Sequence, residues 1–210
     1  NVQIADPWLL TAVNPALPGS LVRNIVERSV ALLLLIATAP LLLVMGLALW
    51  LTTGGPILTR IQRFGQLPLI KGNPQLIKLY HFRTRRADQS RPFFGACLEA
   101  CELQRLPELW NVVRGDIGLI GVKPLALEET LALQETWQQG RFGAQAGFTG
   151  LWYTQATPTT DADELCIMEA YQAVVHTWRD DWRQLWLTPG AWVRRLRHAK
   201  VHKQCAPFAI

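Results

Sequence analysis

A stretch of 22 residues without a charged side chain, Val30 to Leu51, limits what this chain can fold into more than any other feature. As an α-helix rising about 1.5 Å per residue, it reaches roughly 33 Å, enough to cross the hydrocarbon core of a bilayer. It is not typical of a cleavable signal peptide, because 29 residues precede it and its apolar region is too long. The segment therefore predicts a membrane-embedded helix.

Two features of this segment argue against a simple span. Pro40 lies near its middle, where proline removes a helix hydrogen bond and clashes with the preceding turn, so a bend is expected. Both flanks are basic, and basic flanks prefer the cytoplasmic side of a membrane. We therefore predict a re-entrant helix over residues 22–52, with a kinked transmembrane span or a buried core helix as the alternatives. The flanking basic residues are Arg23, Arg28, Arg60 and Arg63.

The amino-acid composition indicates what kind of surface or molecule the chain binds. The chain has 210 residues, enough for one domain with its own core, and Lys and Arg outnumber Asp and Glu by 21 to 16. A chain that is both apolar and basic suits an anionic surface. The basic residues are not interleaved with aromatic residues as a base-stacking platform requires, which excludes a nucleic-acid-binding module and favours anionic lipid. Of the four cysteines, Cys97 and Cys101 are four residues apart but have no histidine nearby, so they make a poor metal site, and we predict reduced thiols.

Outside the apolar segment, the pattern predicts a helix-rich α+β single domain with a small β-sheet. A turn at Gly55-Pro56 precedes a predicted short strand, and a turn at Gly72-Asn73-Pro74 between strand-like runs indicates a hairpin. Helical spacing follows over residues 96–113, where Pro107 interrupts it, then over 125–139, and again from Ala162.

The C-terminal part of the sequence predicts amphipathic helices at a membrane surface. Trp178, Trp182 and Trp186 form one stripe, which is either a core stripe or an interfacial one. Beyond Pro189 the chain is strongly basic, and this predicts an arm on anionic lipid, with a solvated basic helix as the alternative. The predicted parts of the chain are a leader (1–21), the re-entrant helix (22–52), a cytoplasmic domain (53–190) and a basic amphipathic tail (191–210).

Five motifs occur in a recognisable order. They are Ala39-Pro40 within the apolar helix, Gly55-Pro56 followed by "RIQRFG", then "YHFRTR", "LPELWNVVRGDIGLIGVKP" and "AGFTGLW". Together they resemble the bacterial sugar transferases, the monotopic polyprenyl-phosphate phosphoglycosyl transferases that begin exopolysaccharide and O-antigen assembly. The resemblance covers residues 22 to 190.

The resemblance implies a protein of the bacterial inner membrane, with its domain on the cytoplasmic face, that moves a sugar 1-phosphate from a nucleotide sugar to polyprenyl phosphate. In the family an aspartate is the nucleophile and the glutamate after it helps to hold Mg2+, since a carboxylate attacks a diphosphate only when cations neutralise the charge. The resemblance also implies that Arg83 and Lys123 face phosphate. The framework positions that this chain keeps include Asp116, Gly121, Pro124, Gly147, Thr149, Gly150 and Trp152.

The chain departs from the family at the reactive positions. Gln104 and Arg105 stand where the family has its Asp-Glu pair. A neutral amide is no useful nucleophile toward phosphorus, and a guanidinium in place of a carboxylate changes the local charge by two units and repels a dication. His81 stands where the family has lysine. This pattern predicts a catalytically silent member of the family.

Two nearby acids are candidate substitutes for the missing pair. Glu102 would share a helix face with Arg105, which predicts an ion pair between them. Glu108 together with Asp116 would make a weak metal site. If one of these acids has taken over the chemistry, the chain is an active transferase that requires Mg2+.

Two functions therefore stay open. The first is a silent homologue that needs no cofactor and serves as a scaffold, as a subunit of a membrane assembly with other membrane proteins, or as a binder of phosphorylated lipid or nucleotide. In that case Arg83, Arg105 and Lys123 would form an anion pocket without metal. The second is an active transferase with polyprenyl phosphate and a nucleotide sugar as substrates. Both place the protein on a bilayer with anionic headgroups.

Overall fold

The structure is a computed structural model that describes residues 20–65, 76–86, 88–131, 133, 138, 141, 144–156, 160–175 and 177–204. Within these ranges the chain is helix-rich, with two small sheets and a long apolar helix near its N-terminus, and this much of the predicted α+β class is confirmed. Three predicted features lie outside the described residues: most of the leader (1–19), the turn at 72–74 and the end of the tail (205–210).

The apolar segment lies in helix α1 (Ser20–Thr53), which stays helical through Pro40. Proline there leaves the carbonyl of Ile36 without its intrahelical donor, but it does not end the helix. In the described part of the chain, α1 is the helix that is long and apolar enough to cross a membrane by length and composition. Only 17% of its most apolar window is buried, so most of this surface faces outward. Re-entry into one leaflet stays a prediction.

One stripe of α1 packs against the domain from end to end. Ala31, Met45 and Leu49 are buried, and Leu35 and Leu42 are packed beside them. Their spacings of three, four and seven residues are those of a helix seam facing a partner surface. Both ends of the apolar segment therefore contact the same domain. The opposite face exposes large apolar side chains: Leu33, Ile36, Leu43, Val44, Leu47, Trp50 and Leu51.

The predicted small sheet is confirmed as two antiparallel strands, β1 (Leu58–Phe64) and β2 (Leu76–Phe82), which together are called the hairpin below. The hairpin predicted about the turn at 72–74 has its first strand and its turn at residues 66–75, outside the described residues. Three short helical elements follow. They are α2 (Phe93–Ala100), a 3-10 turn (Leu103–Arg105) and α3 (Glu108–Arg114). The predicted helical run over 96–113 is thus broken earlier than at Pro107, because Glu102 takes a left-handed conformation with φ of 54°.

A second, parallel sheet joins β3 (Gly118–Ile120) to β4 (Gly147–Thr149), and sequence reasoning missed it. Each strand has only three residues, too few for a periodic signal. The strands lie so close that a Cβ on Gly121 or Gly147 would overlap the backbone of the other strand, which explains why glycine occupies both positions.

The remaining helices are α4 (Leu127–Leu131), α5 (Leu151–Thr154), α6 (Ala162–Val175) and α7 (Trp178–Gln204). Helix α7 runs across Pro189 and across the predicted 190/191 boundary without a break. Arg194 and Arg195 of the predicted tail donate hydrogen bonds to the carbonyls of Thr154 and Trp152, at distances of 2.7 and 3.2 Å. Two of the tail's arginines therefore have partners at the C-terminal end of α5. Trp186 is 81% exposed.

Polar contacts fix the N-terminal half of α1 to the domain. Glu27 Oε2 accepts the backbone N–H of Leu119 at 2.9 Å, and Arg23 Nε donates to Glu27 Oε1 at 2.6 Å. The same Arg23 Nε lies 3.6 Å from Asp181 Oδ2 on α7. Burial raises the pKa of Asp181 to about 7, with Arg23 opposing the shift and the charges of Glu27 and Asp180 adding to it.

We predict that Asp181→Asn raises the melting temperature at pH 8 and changes it less at pH 5. Because the folded protein raises this pKa from 3.8 to about 7, the stabilisation from the protonated carboxyl is complete below pH 3.8 and is lost as pH rises through about 7. An amide keeps the neutral form at every pH. Thermal melts in detergent across this range test it, with the exposed Glu164→Gln as the control. A destabilised variant at pH 8 would contradict the prediction.

Candidate functional site

A cleft of about 830 Å³ opens on one face of the β1–β2 hairpin. Side chains on a strand alternate between its faces, so Thr59, Ile61 and Arg63 of β1 share this face, and the β1–β2 register places His81 opposite Thr59. The 3-10 turn contributes Gln104, and the segment after β2 contributes three arginines. The basic side chains that line the cleft are Arg63, His81, Arg83, Arg85 and Arg86.

Backbone contacts fix the arginines at one end of the cleft. Arg83 Nε donates to the carbonyl of Arg85 at 3.0 Å, and a Cβ on Gly55 would lie 2.6 Å from Arg83 Nη1. The Gly55-Pro56 turn therefore leaves room for the Arg83 guanidinium. Arg86 Nε donates to the carbonyl of Thr52 at 2.8 Å, which places this end of the cleft beside the C-terminus of α1.

Among the described residues that line the cleft, Glu99 is the one acid. Its Oε1 accepts the Thr84 hydroxyl at 2.6 Å and lies 3.6 Å from Arg85 Nε, while its Oε2 lies 3.6 Å from Arg91 Nη1. These partners occupy the carboxylate and neutralise its charge. The cleft is therefore cationic and suited to an anionic ligand.

The predicted position of the family's nucleophile lies at this cleft, but its neighbour does not line it. Gln104 lines the cleft, and its side-chain oxygen is buried without a hydrogen-bond partner. Arg105 turns instead toward the interior, where its Nε and Nη2 donate to Glu108 Oε1 and Oε2 at 3.0 and 2.8 Å. The Arg105 Nη2 also donates to the carbonyl of Phe148 at 3.0 Å.

Three aromatic rings surround the Arg105 guanidinium. Its Cζ lies 5.0 Å from the Trp152 ring centroid, 5.4 Å from that of Phe148 and 5.7 Å from that of Tyr153. Stacking on aromatic faces suits arginine because its planar cation is weakly hydrated. The framework residue Trp152 therefore helps to hold the guanidinium of Arg105.

Glu108 is the buried counter-ion of this arrangement, with a side chain that is 2% exposed. Its Oε1 also contacts His81 Nε2, so a single carboxylate joins the 3-10 turn, α3 and the hairpin. Burial alone would raise the pKa of Glu108, but the charge of Arg105 and the hydrogen bonds from His81 and Arg105 hold it below its usual value. The same partnership raises the pKa of Arg105 against the effect of its own burial. The pair is therefore ionised.

The residues at this place do not fit Mg2+. Mg2+ prefers several oxygen ligands, and carboxylates in particular, whereas the site offers the amide of Gln104 and the guanidinium of Arg105. Both oxygens of Glu108 are bound to Arg105. No group of three or more His, Cys, Asp or Glu side chains suited to a metal ion occurs among the described residues.

The other acids considered from the sequence have their own partners. The predicted pair between Glu102 and Arg105 is not the one that forms, because the left-handed backbone at Glu102 takes it out of a regular helix. Glu102 Oε1 instead accepts Arg195 Nη1 at 3.1 Å. Asp116 Oδ2 accepts the Asn111 amide at 2.9 Å and lies 3.4 Å from Arg114 Nε.

Lys123 lies in a separate set of contacts from Arg105. Its Nζ donates to Glu129 Oε1 at 2.7 Å, and its backbone N–H donates to Glu169 Oε1 at 2.7 Å. Arg141 Nη2 donates to the Lys123 carbonyl at 2.7 Å and pairs with Glu169 Oε2 at the same distance. Sequence reasoning missed the buried pair of Arg141 and Glu169, because the two are far apart in the chain and no local pattern joins them. Of the predicted anion pocket, Arg83 alone lines the cleft.

The framework positions hold the two short strands together. Gly121 donates its N–H to the carbonyl of Thr149 at 2.9 Å, and a Cβ on Gly150 would overlap the Gly121 carbonyl. The buried hydroxyl of Thr149 lies 3.0 Å from that of Thr188 on α7. Pro124 is buried as well. These residues shape the wall that supports Arg105 and do not line the cleft.

Comparison with known proteins gives a family match. The model of the family described as "Bacterial sugar transferase" matches residues 19–195. The UDP-glucose:undecaprenyl-phosphate glucose-1-phosphate transferase of Caulobacter vibrioides is 32% identical over 150 residues, which cover 65% of this chain and 55% of that protein. The exopolysaccharide production protein ExoY of Sinorhizobium fredii is 29% identical over 159 residues, which cover 64% of this chain and 69% of the relative.

A third relative is longer than this chain. The undecaprenyl-phosphate glucose phosphotransferase of Komagataeibacter xylinus is 29% identical over 143 residues, which cover 59% of this chain and 26% of that protein. The matched region therefore spans about half the length of the Caulobacter protein and about a quarter of the Komagataeibacter one.

We predict that Arg105→Gln lowers the free energy of unfolding by about 3–5 kcal/mol, because Glu108 would stay buried without its main counter-ion. The double variant Arg105→Gln/Glu108→Gln should recover most of this loss, since it removes the charge as well as its partner. Chemical denaturation in detergent measures both.

Arg85→Gln is the matched control for this prediction. Its ion pair with Glu99 is 44% exposed on the arginine side and 3.6 Å long, so its loss should cost about 1 kcal/mol or less. If Arg105→Gln were no more destabilising than Arg85→Gln, the buried pair would contribute no more to stability than an exposed one, which would contradict the prediction.

Proposed function

The chain belongs to the bacterial sugar transferase family, and from that membership we propose that it is a catalytically silent member whose cationic cleft binds a phosphorylated ligand at a membrane. Two relatives are named for action on undecaprenyl phosphate, and one of these also for UDP-glucose. The proposed ligands are therefore a polyprenyl phosphate or a nucleotide sugar. The proposed setting is exopolysaccharide biosynthesis, after the name of another relative.

One observation carries the proposal. The guanidinium of Arg105 forms two hydrogen bonds with Glu108 and lies among three aromatic rings, at the position of the family's metal-binding acid. The adjacent Gln104 has an amide where a carboxylate nucleophile is needed. The cleft keeps its cations, so binding of phosphate is supported while the carboxylate-dependent step is not.

The placement of α1 supports a membrane role without a span. Ala31 and Leu49 stand near opposite ends of the apolar segment, yet both are fully buried against the domain. A helix perpendicular to the bilayer would carry one of these ends across the membrane, away from a domain that lies on one side. We therefore propose that α1 enters and leaves the cytoplasmic leaflet of the inner membrane, with its exposed apolar face in lipid.

A role without transfer chemistry fits a scaffold or a subunit. A cleft that binds a lipid-linked phosphate and does not consume it would present that ligand to other membrane proteins. The exposed apolar face of α1 and the exposed Trp186 of α7 are the surfaces offered to lipid with anionic headgroups, or to such partners.

An active transferase is the second candidate, favoured by the names of the relatives. Its catalytic group would have to be Glu102, Glu108 or His81, and Mg2+ would have to bind elsewhere than at Arg105. The contact between Glu108 and His81 is the feature that favours this reading, since a carboxylate partner orients an imidazole toward the cleft.

We predict no transfer of sugar phosphate from UDP-glucose to undecaprenyl phosphate by the purified protein, with or without Mg2+. Undecaprenyl phosphate or UMP should still raise its melting temperature in EDTA, and Arg83→Gln should weaken this shift because it removes a cation from the cleft. The control is Arg114→Gln, which removes an arginine that is 49% exposed and lies outside the cleft lining.

Three results decide between the candidates. Transfer by the unaltered protein that survives Glu102→Gln, Glu108→Gln and His81→Asn would contradict the silent assignment and show that the chemistry depends on none of these groups. Transfer abolished by one of the three, in a variant that keeps the melting temperature of the unaltered protein, would identify that residue and favour the active transferase. If the double variant Gln104→Asp/Arg105→Glu transfers sugar phosphate with Mg2+ and the unaltered protein does not, the assignment as a catalytically silent member is supported directly.

Topology gives a separate prediction. In a background without native cysteines, Ser20→Cys and Gln62→Cys should both react with a membrane-impermeant maleimide from the cytoplasmic side only, because both ends of α1 lie on the domain's side. Labelling of Glu128→Cys shows on which side of the membrane the domain lies. Labelling of the two ends from opposite sides would establish a span. Pro40→Leu should shift the balance toward that span, since it restores a helix hydrogen bond.

A further inference from the structure

Glu102 has a backbone conformation that its residue type rarely takes. Its φ of 54° and ψ of 15° lie in the left-handed region, which a residue with a Cβ occupies only when its surroundings favour it. Among the described non-glycine residues, Gln89 is the other with a positive φ, and it lies in an exposed loop. Glu102 directly precedes the 3-10 turn whose Gln104 lines the cleft. The backbone at Glu102 therefore determines where Gln104 and Arg105 lie.

Arg195 of helix α7 binds the Glu102 side chain. Its Nη1 donates to Glu102 Oε1 at 3.1 Å. Its Nε and Nη2 donate to the carbonyls of Tyr153 and Trp152 at 3.3 and 3.2 Å, and its Cζ lies 4.4 Å from the centroid of the Tyr153 ring. These contacts with α5 fix the guanidinium independently of Glu102, so Arg195 is a preformed partner for the carboxylate.

The chain contains a competing partner for Glu102. In a regular helix Glu102 and Arg105 would form an ion pair at i, i+3 spacing, whereas the left-handed residue directs Arg105 to Glu108. If Arg105 turned to Glu102, Glu108 would keep only its contact with His81, which lines the cleft. A carboxylate without its counter-ion at that place would repel an anionic ligand. The contact of Arg195 with Glu102 therefore leaves Arg105 available to Glu108.

We propose that Arg195 is a positioning residue for the cleft. By binding Glu102, it stabilises the left-handed backbone that places Gln104 at the cleft and Arg105 against Glu108. Arg195 lies outside the cleft lining, so it acts on a ligand through Glu102 and not by contact. The proposal rests on anion binding in the cleft, as proposed above, and it gives the C-terminal helix a role in that binding.

Two substitutions at position 102 separate this role from an ordinary stabilising ion pair. Glycine and alanine both remove the carboxylate, but only glycine enters the left-handed region without a steric penalty. Alanine favours the regular helix that the turn interrupts. If the backbone at position 102 governs the cleft, Glu102→Gly keeps the turn without Arg195, whereas Glu102→Ala loses it even when Arg195 is present.

The first test measures the affinity for UMP by calorimetric titration of the full chain in detergent and EDTA. We expect Arg195→Gln and Glu102→Ala each to weaken binding roughly three- to tenfold, a usual range for residues that act on a site through a neighbour. Glu102→Gly and the double variant Glu102→Gly/Arg195→Gln should bind within about twofold of the unaltered protein, because glycine keeps the turn without the ion pair.

Arg194→Gln is the matched control. It removes the same charge from the next residue, whose guanidinium donates to the Thr154 carbonyl at 2.7 Å. In every variant Trp192 keeps its indole N–H on the Cys101 carbonyl, 2.6 Å away, so α7 stays against the end of α2. An equal loss of affinity in Arg194→Gln would reduce the effect to net charge and overturn the proposal. No loss in Arg195→Gln, or no recovery in the double variant, would overturn it as well.

A second test needs no ligand. Alanine is more stable than glycine inside a helix, but the order reverses at a residue with a positive φ. We therefore expect Glu102→Gly to melt at a higher temperature than Glu102→Ala, and the opposite order would overturn the proposal. If UMP binds and Arg83→Gln weakens it, the proposed function stands whatever the variants at 102 and 195 do. If neither UMP nor undecaprenyl phosphate binds the unaltered protein, the proposed function falls and the positioning role with it.

Discussion

The ion pair between Arg105 and Glu108 is the interaction on which the rest of the site depends. Glu108 is buried on α3, and its oxygens are shared between Arg105 of the 3-10 turn and His81 of the hairpin. Arg105 in turn reaches the Phe148 carbonyl in β4 and the ring of Trp152 in α5. A buried charge without its partner lowers the free energy of unfolding by several kcal/mol. The elements that supply these contacts therefore keep their relative positions only while the pair is intact. The polar pair therefore sets the geometry of the cleft wall.

The same logic of internal neutralisation extends beyond this pair. Arg105 is balanced by Glu108, Lys123 by Glu129, and Arg141 by Glu169. In the cleft, by contrast, Glu99 is the one described acid beside four arginines and a histidine. Cations that shape the fold thus have carboxylate partners, whereas cations at the cleft are in excess. That excess is the physical basis for assigning an anionic ligand to the cleft and not to the interior around Arg105.

The sequence predicted the parts of this fold that rest on composition or on local turn chemistry. The charge-free run predicted α1, and the Gly55-Pro56 turn predicted the short strand that follows it, β1. It did not predict β3 and β4, whose three-residue strands carry no period, or the partner of Arg105. The expected partner was Glu102, at helical spacing, but a φ of 54° at Glu102 breaks that spacing and leaves Glu108 as the neighbour. Arg141 and Glu169 meet only through the tertiary fold, so no local pattern marks them.

The cleft lies beside the C-terminal end of α1, and this matters for a ligand that is attached to a lipid chain. Arg86 lines the cleft and binds the carbonyl of Thr52, in the last turn of α1, while Trp50 and Leu51 are exposed beside it. A tryptophan at the end of an apolar helix favours the headgroup layer, and an arginine there favours phosphate. A ligand with a phosphate on an apolar chain could bind with its phosphate at the arginines of the cleft. Its apolar chain would then lie along the exposed face of α1. A soluble anion gains nothing from that face, so under the proposed function we expect a lipid-linked phosphate to bind more tightly than a free one.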